Sequence, residues 1–193
     1  MKNRIRLKYN APVVLTFVLL CFAATLLGQI GSGFLTRLLF STYRSAWLDP
    51  LAYLRLFTHV LGHADWSHFA GNAIYILLLG PMLEEKYGAK TLLYAMLATA
   101  FATGLLNALL FSNVALLGAS GIVFSFILLS SFTSFSAGDI PLTAIVVAIL
   151  YIGQEIVNGV FLQDNISNMA HIVGGVIGTV FGYCTNIRKK KAK

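Results

Sequence analysis

Charge is the property that this sequence has least of. Only 11% of its 193 residues are charged, and seven residues are acidic, whereas about 25% of the residues of an ordinary soluble domain are charged. A soluble enzyme, a disordered segment and a nucleic-acid-binding module are therefore all disfavoured. Cysteine is also scarce: Cys21 and Cys184 stand alone in apolar stretches, which predicts neither a disulfide framework nor a C-x-x-C metal or redox site.

Apolar residues make up 58% of the chain, and they fall in uncharged runs. A bilayer core needs about 20 mostly apolar residues per helix. One domain covering residues 1–193 is expected, without an internal repeat. The uncharged stretch 10–36 is longer than the apolar part of a signal peptide, so we interpret it as a retained first span. The runs predict six spanning helices, at 12–30, 66–82, 91–111, 120–135, 140–160 and 168–187.

Basic residues predict the orientation of these spans. The two termini and the 84–90 loop hold eleven of the fourteen lysines and arginines, which predicts that both termini are cytoplasmic. Glu84, Glu85 and Lys86 are expected in a solvated cytoplasmic turn. The long segment 31–65 then lies outside, and its mixture of aromatic, apolar and charged residues is typical of a structured piece at the membrane interface.

Polar groups at membrane depth are functional candidates because their burial in lipid is unfavourable. Ser120 begins the fourth span and His171 lies in the sixth, and a serine becomes a nucleophile when a histidine takes its proton. Gly174, Gly178 and Gly182 recur every four residues after His171, a pattern that lets two helices pack closely. No acidic residue is placed to orient His171, which predicts a Ser-His dyad rather than a triad.

A second group of polar residues predicts an oxyanion hole. Gly118 and Gly121 flank Ser120 and permit a tight turn, so that the amide of Ser120 is an unpaired N–H group of a helix start. His68 and Asn72 are four residues apart and share one helical face. Their side-chain N–H groups are predicted to join that amide in stabilising a tetrahedral intermediate.

Together these residues resemble the rhomboid family of intramembrane serine proteases, in its minimal six-helix bacterial form. The resemblance implies that Ser120 is the nucleophile and His171 the general base, with the oxyanion stabilised by His68, Asn72 and the Ser120 amide. Several motifs carry it, in order: His59-Val60-Leu61-Gly62-His63, His68-Phe69-Ala70-Gly71-Asn72, Glu85-Lys86-Tyr87-Gly88, Gly118-Ala119-Ser120-Gly121, and Ala170-His171 with Gly174 and Gly178.

The resemblance also implies a fold: an all-α integral membrane protein, a six-transmembrane-helix bundle with a structured extracytoplasmic loop between the first two helices. Arg55 matches the arginine that pins this loop, although Leu54 stands where the family usually has tryptophan. Phe124 replaces the tyrosine that usually stacks beneath the catalytic histidine. A phenyl ring can still stack there, so altered packing is expected rather than lost activity.

The implied substrates are single-span membrane proteins, cut near the extracytoplasmic end of their transmembrane helix and after a small residue. Such a helix must unwind before attack, since its carbonyls are hydrogen-bonded internally. The implied location is a bacterial plasma membrane, with the lipid bilayer as the surroundings. No metal, organic cofactor or nucleic acid is implied, and the sequence predicts no oligomeric state.

Three alternatives are less favoured by the residues. His59, His63 and His68 could suggest a metal site, but no H-E-x-x-H motif or convincing carboxylate completes it. A catalytically inactive relative that binds membrane helices would typically lack the serine or the histidine. A small transporter would be expected to have an inverted repeat and broken helices, and neither is evident.

Overall fold

The computed structural model describes residues 8–46, 48–112, 114–133, 140–161 and 165–191. The described residues are all-α, apart from one isolated β-bridge, as the sequence predicts. The predicted end of the fourth span at residue 135 lies outside the described residues, as do Lys2, Arg4, Arg6 and Lys193. The helices are α1 (Pro12–Ile30), α2 (Phe34–Leu39), α3 (Pro50–Thr58) with a 3-10 turn (His59–Leu61), α4 (Trp66–Tyr87), α5 (Ala89–Leu110), α6 (Ser120–Ser130), α7 (Leu142–Phe161) and α8 (Asn165–Lys191).

The start of α1 is capped by a residue near the end of α4. The carboxylate of Glu84 accepts hydrogen bonds from the amides of Val13 and Val14, at 3.1 and 3.0 Å. Glu84 is only 6% exposed, so the prediction that it lies in a solvated turn is wrong. The first amides of a helix have no partner within it, and a carboxylate from α4 supplies one here; Glu85 and Lys86, in contrast, are exposed.

The segment between α1 and α4 is ordered around a buried arginine. Arg55 of α3 is 2% exposed, and it forms a 2.5 Å ion pair with Asp49, the residue that caps α3. Its guanidinium also donates to the Ser45 hydroxyl and the Leu38 carbonyl, and it lies 4.4 Å from the ring centroid of Tyr43. One side chain thus connects the parts of the segment on both sides of Asp49.

Helices α6 and α8 pack backbone against backbone, and glycines of α8 make this possible. A Cβ at Gly174 would collide with the carbonyl oxygen of Gly121, and a Cβ at Gly178 would collide with that of Ser125. A Cβ at Gly182 would lie 2.8 Å from the ring of Phe132. Any larger residue would separate the two helices.

The bundle buries an apolar core and exposes apolar residues around it. Val14, Ile76, Leu92, Ile122 and Phe126 are among the core side chains with no more than 1% exposure. Large apolar side chains on the outward faces of α1, α4, α5 and α7 are exposed, which is the distribution expected for a protein that faces lipid. Two helices, α1 and α5, are each long and apolar enough to cross a membrane.

Candidate active site

The segment before Ser120 is held by backbone hydrogen bonds to the segment between α1 and α4. Thr42 and Leu116 exchange N–H···O bonds of 2.9 Å, and the amide of Gly118 donates to the carbonyl of His59 at 3.0 Å. Gly118 has a φ of +120°, a conformation that side chains disfavour. Helix α6 then begins at Ser120, so the Ser120 amide is among the N–H groups without an intrahelical partner.

Two polar side chains of α4 lie beside this turn. A Cβ at Gly118 would be 2.9 Å from Nε2 of His68 and 3.9 Å from Nδ2 of Asn72, so the glycine allows α4 and the serine segment to approach. Asn72 is 8% exposed, and its Nδ2 is buried without a hydrogen-bond partner. His68 is also close enough to His171 for their charges to interact. The Asn72 amide is therefore a buried donor that an acceptor near Gly118 could use.

His171 of α8 lies flat against Phe124 of α6. The two ring centroids are 4.2 Å apart and the planes differ by 6°. Phe124 is one turn after Ser120 on the same helix, and a Cβ at Gly121 would lie 3.3 Å from the carbonyl oxygen of Ala170. The turns of α6 and α8 that carry the serine and the histidine therefore face each other.

His59 connects the segment between α1 and α4 to α5. Its Nδ1 lies 3.1 Å from the carbonyl oxygen of Arg55, and its Nε2 lies 3.2 Å from the hydroxyl oxygen of Thr103. Burial lowers the pKa of His59 to about 4, although hydrogen bonds to the carbonyls of Arg55 and Leu56 oppose the shift. The ring is thus neutral at pH 7, and it packs the loop against α5, where Gly104 lies against Leu56.

His63 packs against the candidate oxyanion residue His68. Their ring centroids are 5.0 Å apart in an edge-on arrangement, and Nδ1 of His63 lies 3.1 Å from the carbonyl oxygen of Leu61. Burial, followed by the charge of His68, lowers the pKa of His63 to about 4, against the opposing effects of the Leu61 carbonyl and Asp65. Asp65 also caps α4 by accepting from the His68 amide at 2.8 Å, so the loop fixes the start of the helix that carries His68.

The residues predicted to take part in catalysis thus lie where α4, α6 and α8 meet: His68 and Asn72 on α4, Ser120 on α6 and His171 on α8. Contacts between these helices involve Gly118, Gly121, Gly174, Gly178 and Phe124. Arg55 lies apart from them, in the segment between α1 and α4. Within the described residues, no group of three or more His, Cys, Asp or Glu side chains could hold a metal ion.

Two residues of this region were not singled out from the sequence. Tyr151 of α7 packs edge-to-face on Phe124, with centroids 5.6 Å apart and an angle of 84°. Asn168, one turn before His171, is 7% exposed and has a buried Nδ2 without a hydrogen-bond partner. The sequence did carry a signal for Asn168, because it is a polar residue three positions before His171 in a predicted membrane span. No sequence pattern indicates the contact of Tyr151.

Comparison with known proteins identifies the fold. A family model described as Rhomboid domain matches residues 50–188, which is most of the chain and includes α3 to α7 and most of α8. The chain belongs to the rhomboid family. Rhomboid domains are membrane domains, so this chain is a membrane protein. Rhomboid-like protein 11, chloroplastic, from Arabidopsis thaliana is 26% identical over 132 residues, which cover 68% of this chain and 44% of the relative. The chain therefore matches less than half of that rhomboid-like protein.

Proposed function

We propose that this rhomboid is an intramembrane serine endopeptidase that cuts transmembrane helices of membrane proteins with a Ser120–His171 dyad. The observation that carries the proposal is the stack of His171 on Phe124, one turn from Ser120, where α6 and α8 are in backbone contact. A histidine held by a ring stack on the helix that faces a serine supports the assignment of His171 as the general base.

In the proposed reaction, His171 takes the proton of the Ser120 hydroxyl as its oxygen attacks the substrate carbonyl carbon. The carbonyl oxygen becomes an oxyanion, which the Ser120 amide and the side chains of Asn72 and His68 stabilise. His171 then gives the proton to the leaving amine as the C–N bond breaks. Water hydrolyses the resulting ester by the same steps and restores Ser120. The unpaired Nδ2 of Asn72 supports its assignment as a donor.

The proposed topology has six spans, α1 and α4 to α8, with both termini in the cytoplasm of a bacterial cell. Ser120 then lies below the outer surface, because the external segment carrying Thr42 and His59 binds the residues that precede it. The substrates are single-span proteins cut near the extracytoplasmic end of their helix. The start of α6 is closest to that end, which supports this choice of cleavage position.

The test is cleavage of a single-span reporter, with small residues at the outer end of its helix, by purified protein in liposomes. We expect wild type to cut it, and Ser120→Ala and His171→Ala to be reduced to background while remaining folded. Ser125→Ala is the matched control, because this serine is also in α6 and its buried Oγ has no hydrogen-bond partner. It should keep activity.

Cleavage by Ser120→Ala at the wild-type rate would refute the proposed mechanism. If folded wild type cuts none of a panel of single-span reporters and takes up no fluorophosphonate at Ser120, the chain is instead an inactive, helix-binding member of the family.

A further inference from the structure

We propose that Tyr151 of α7 is a positioning residue for the base, acting on His171 through Phe124. The inference rests on the proposed function, in which His171 is the base. Three rings from three helices are in sequence: Tyr151 meets Phe124 edge-to-face at 5.6 Å, and Phe124 stacks flat on His171 at 4.2 Å. The edge-to-face distance lies within the range of favourable aromatic pairs, and the flat stack is closer still.

Phe124 needs neighbours to hold it because its side chain has no hydrogen-bonding group. Its rotamer is therefore held by the backbone and by packing, and within the described part of the chain Tyr151 and His171 are rings in contact with it. The ring of Tyr151 is nearly perpendicular to that of Phe124, at 84°, so a rotation of the phenyl ring towards α7 is blocked. The plane of Phe124 in turn fixes the plane of the His171 imidazole, which differs from it by 6°.

Tyr151 belongs to α7, whereas the serine and the base belong to α6 and α8. The position of α7 is therefore linked to the orientation of the imidazole. When α7 is packed, the base is held against Phe124; when α7 moves away, Phe124 loses its edge contact and the base gains rotational freedom. Catalytic alignment thus depends on a helix that contributes no group to the reaction.

The first test measures the geometry of His171 without relying on activity. The ring-proton NMR resonances of His171 report its stacking on Phe124, and they are assigned by their absence in His171→Ala. In Tyr151→Leu these resonances should shift, while Tyr151→Phe, which keeps the ring, should match wild type. Leu150→Ala is the control, because Leu150 is the neighbouring residue on α7 and is 63% exposed; it should leave the resonances unchanged.

The second test measures cleavage kinetics in liposomes. Tyr151→Leu should lower kcat about 10- to 100-fold with KM unchanged, since small misplacements of a catalytic group have effects of this size. Tyr151→Phe and Leu150→Ala should stay within about twofold of wild type. If Tyr151→Leu does not fold, Tyr151→Met, which keeps more side-chain volume without a ring, is measured in the same way.

The proposal is overturned if His171 resonances are the same in wild type and the ringless variant. It is also overturned if KM rises with kcat unchanged, because Tyr151 would then contact the substrate rather than position the base. Absence of Ser120-dependent cleavage in wild type would refute the proposed function instead, and the NMR comparison would still decide whether Tyr151 orients His171.

Discussion

Glu84 and Val14 are seventy residues apart in the chain, yet the Glu84 carboxylate accepts the Val14 amide at 3.0 Å inside the protein. Helices α1 and α4 also approach closely at Gly80, where an added Cβ would lie only 2.7 Å from Cγ2 of Val14. The buried carboxylate joins α1 to α4 and satisfies amides that the helix itself leaves unpaired.

Replacing Glu84 with alanine is expected to destabilise the fold by about 2–3 kcal/mol, because the buried amide of Val14 and the partly buried amide of Val13 lose their acceptor. The measurement is thermal unfolding of the purified protein in detergent. Glu85→Ala is the control, since Glu85 is the adjacent acidic residue and is exposed. Equal stability of the two variants would show that the cap contributes nothing.

Two glycines of α8, Gly178 and Gly175, should differ in the effect of an alanine substitution on stability. Gly178→Ala should destabilise the protein by about 1–3 kcal/mol, because the new Cβ collides with the Ser125 carbonyl oxygen and the core resists overpacking. Gly175→Ala places the same Cβ 3.5 Å from Leu128, an ordinary contact. The higher helix propensity of alanine should leave that variant neutral or up to about 1 kcal/mol more stable.

Unfolding midpoints of the two variants in the same detergent check this prediction. Which of the two variants is less stable matters more than the size of either change in the midpoint. If Gly175→Ala were the less stable variant, the packing of α6 on α8 would not be as described.

The sequence could predict the helical class and the family, because long uncharged runs and the order of motifs are local signals. It also indicated that the segment between the first two spans has structure of its own, and the structure has α2 and α3 there. It could not locate Glu84: adjacent charges usually mark a solvated turn, and nothing local shows that the start of α1 lies beside them. The short helices α2 and α3 were likewise not predicted, since six or nine residues give little periodicity.

The predicted ends of the helices differ for a related reason. The span 66–82 continues to Tyr87 as part of α4, and 168–187 is extended at both ends in α8. Charged residues were used as boundaries of the lipid-crossing part, but a helix does not stop where the lipid stops. The contact of Tyr151 with Phe124 depends on how α7 lies against α6, which is tertiary information.

Acid should destabilise the segment between α1 and α4 through His63. Burial lowers its pKa to about 4, below the value near 6.5 of an unfolded histidine. The unfolded chain therefore binds the proton more readily than the folded protein. The contribution of His63 to the free energy of unfolding is fully present above about pH 6.5 and is lost as the pH falls towards 4. Asp65 and His68 are the charged neighbours that act on this ring.

We expect the unfolding midpoint of wild type to fall between pH 7 and pH 5, and His63→Phe to show a smaller fall. His59, whose pKa is also lowered to about 4, remains in the variant and accounts for part of the residual dependence. An unchanged pH dependence in His63→Phe would exclude His63 as a source.

A comparison of two buried asparagines, Asn72 and Asn107, should separate catalysis from stability. Nδ2 of Asn72 has no hydrogen-bond partner, so Asn72→Ala breaks no bond of the resting protein and should leave its unfolding midpoint unchanged. If Asn72 donates to the oxyanion, the same variant should lower kcat about 10²–10³-fold.

Asn107 should behave in the opposite way. Its Nδ2 donates to the carbonyls of Thr42 and Val114, at 2.9 and 3.2 Å, and these bonds hold the segment that leads to Ser120. Asn107→Ala should therefore destabilise the protein by about 1–3 kcal/mol, because the Val114 carbonyl loses the Asn107 donor and the Thr42 carbonyl keeps only the bond from the Leu116 amide. Kinetics and unfolding of both variants, measured side by side, check the assignment. A large loss of stability in Asn72→Ala, with kcat reduced only in proportion to the folded fraction, would make Asn72 structural rather than a donor to the oxyanion.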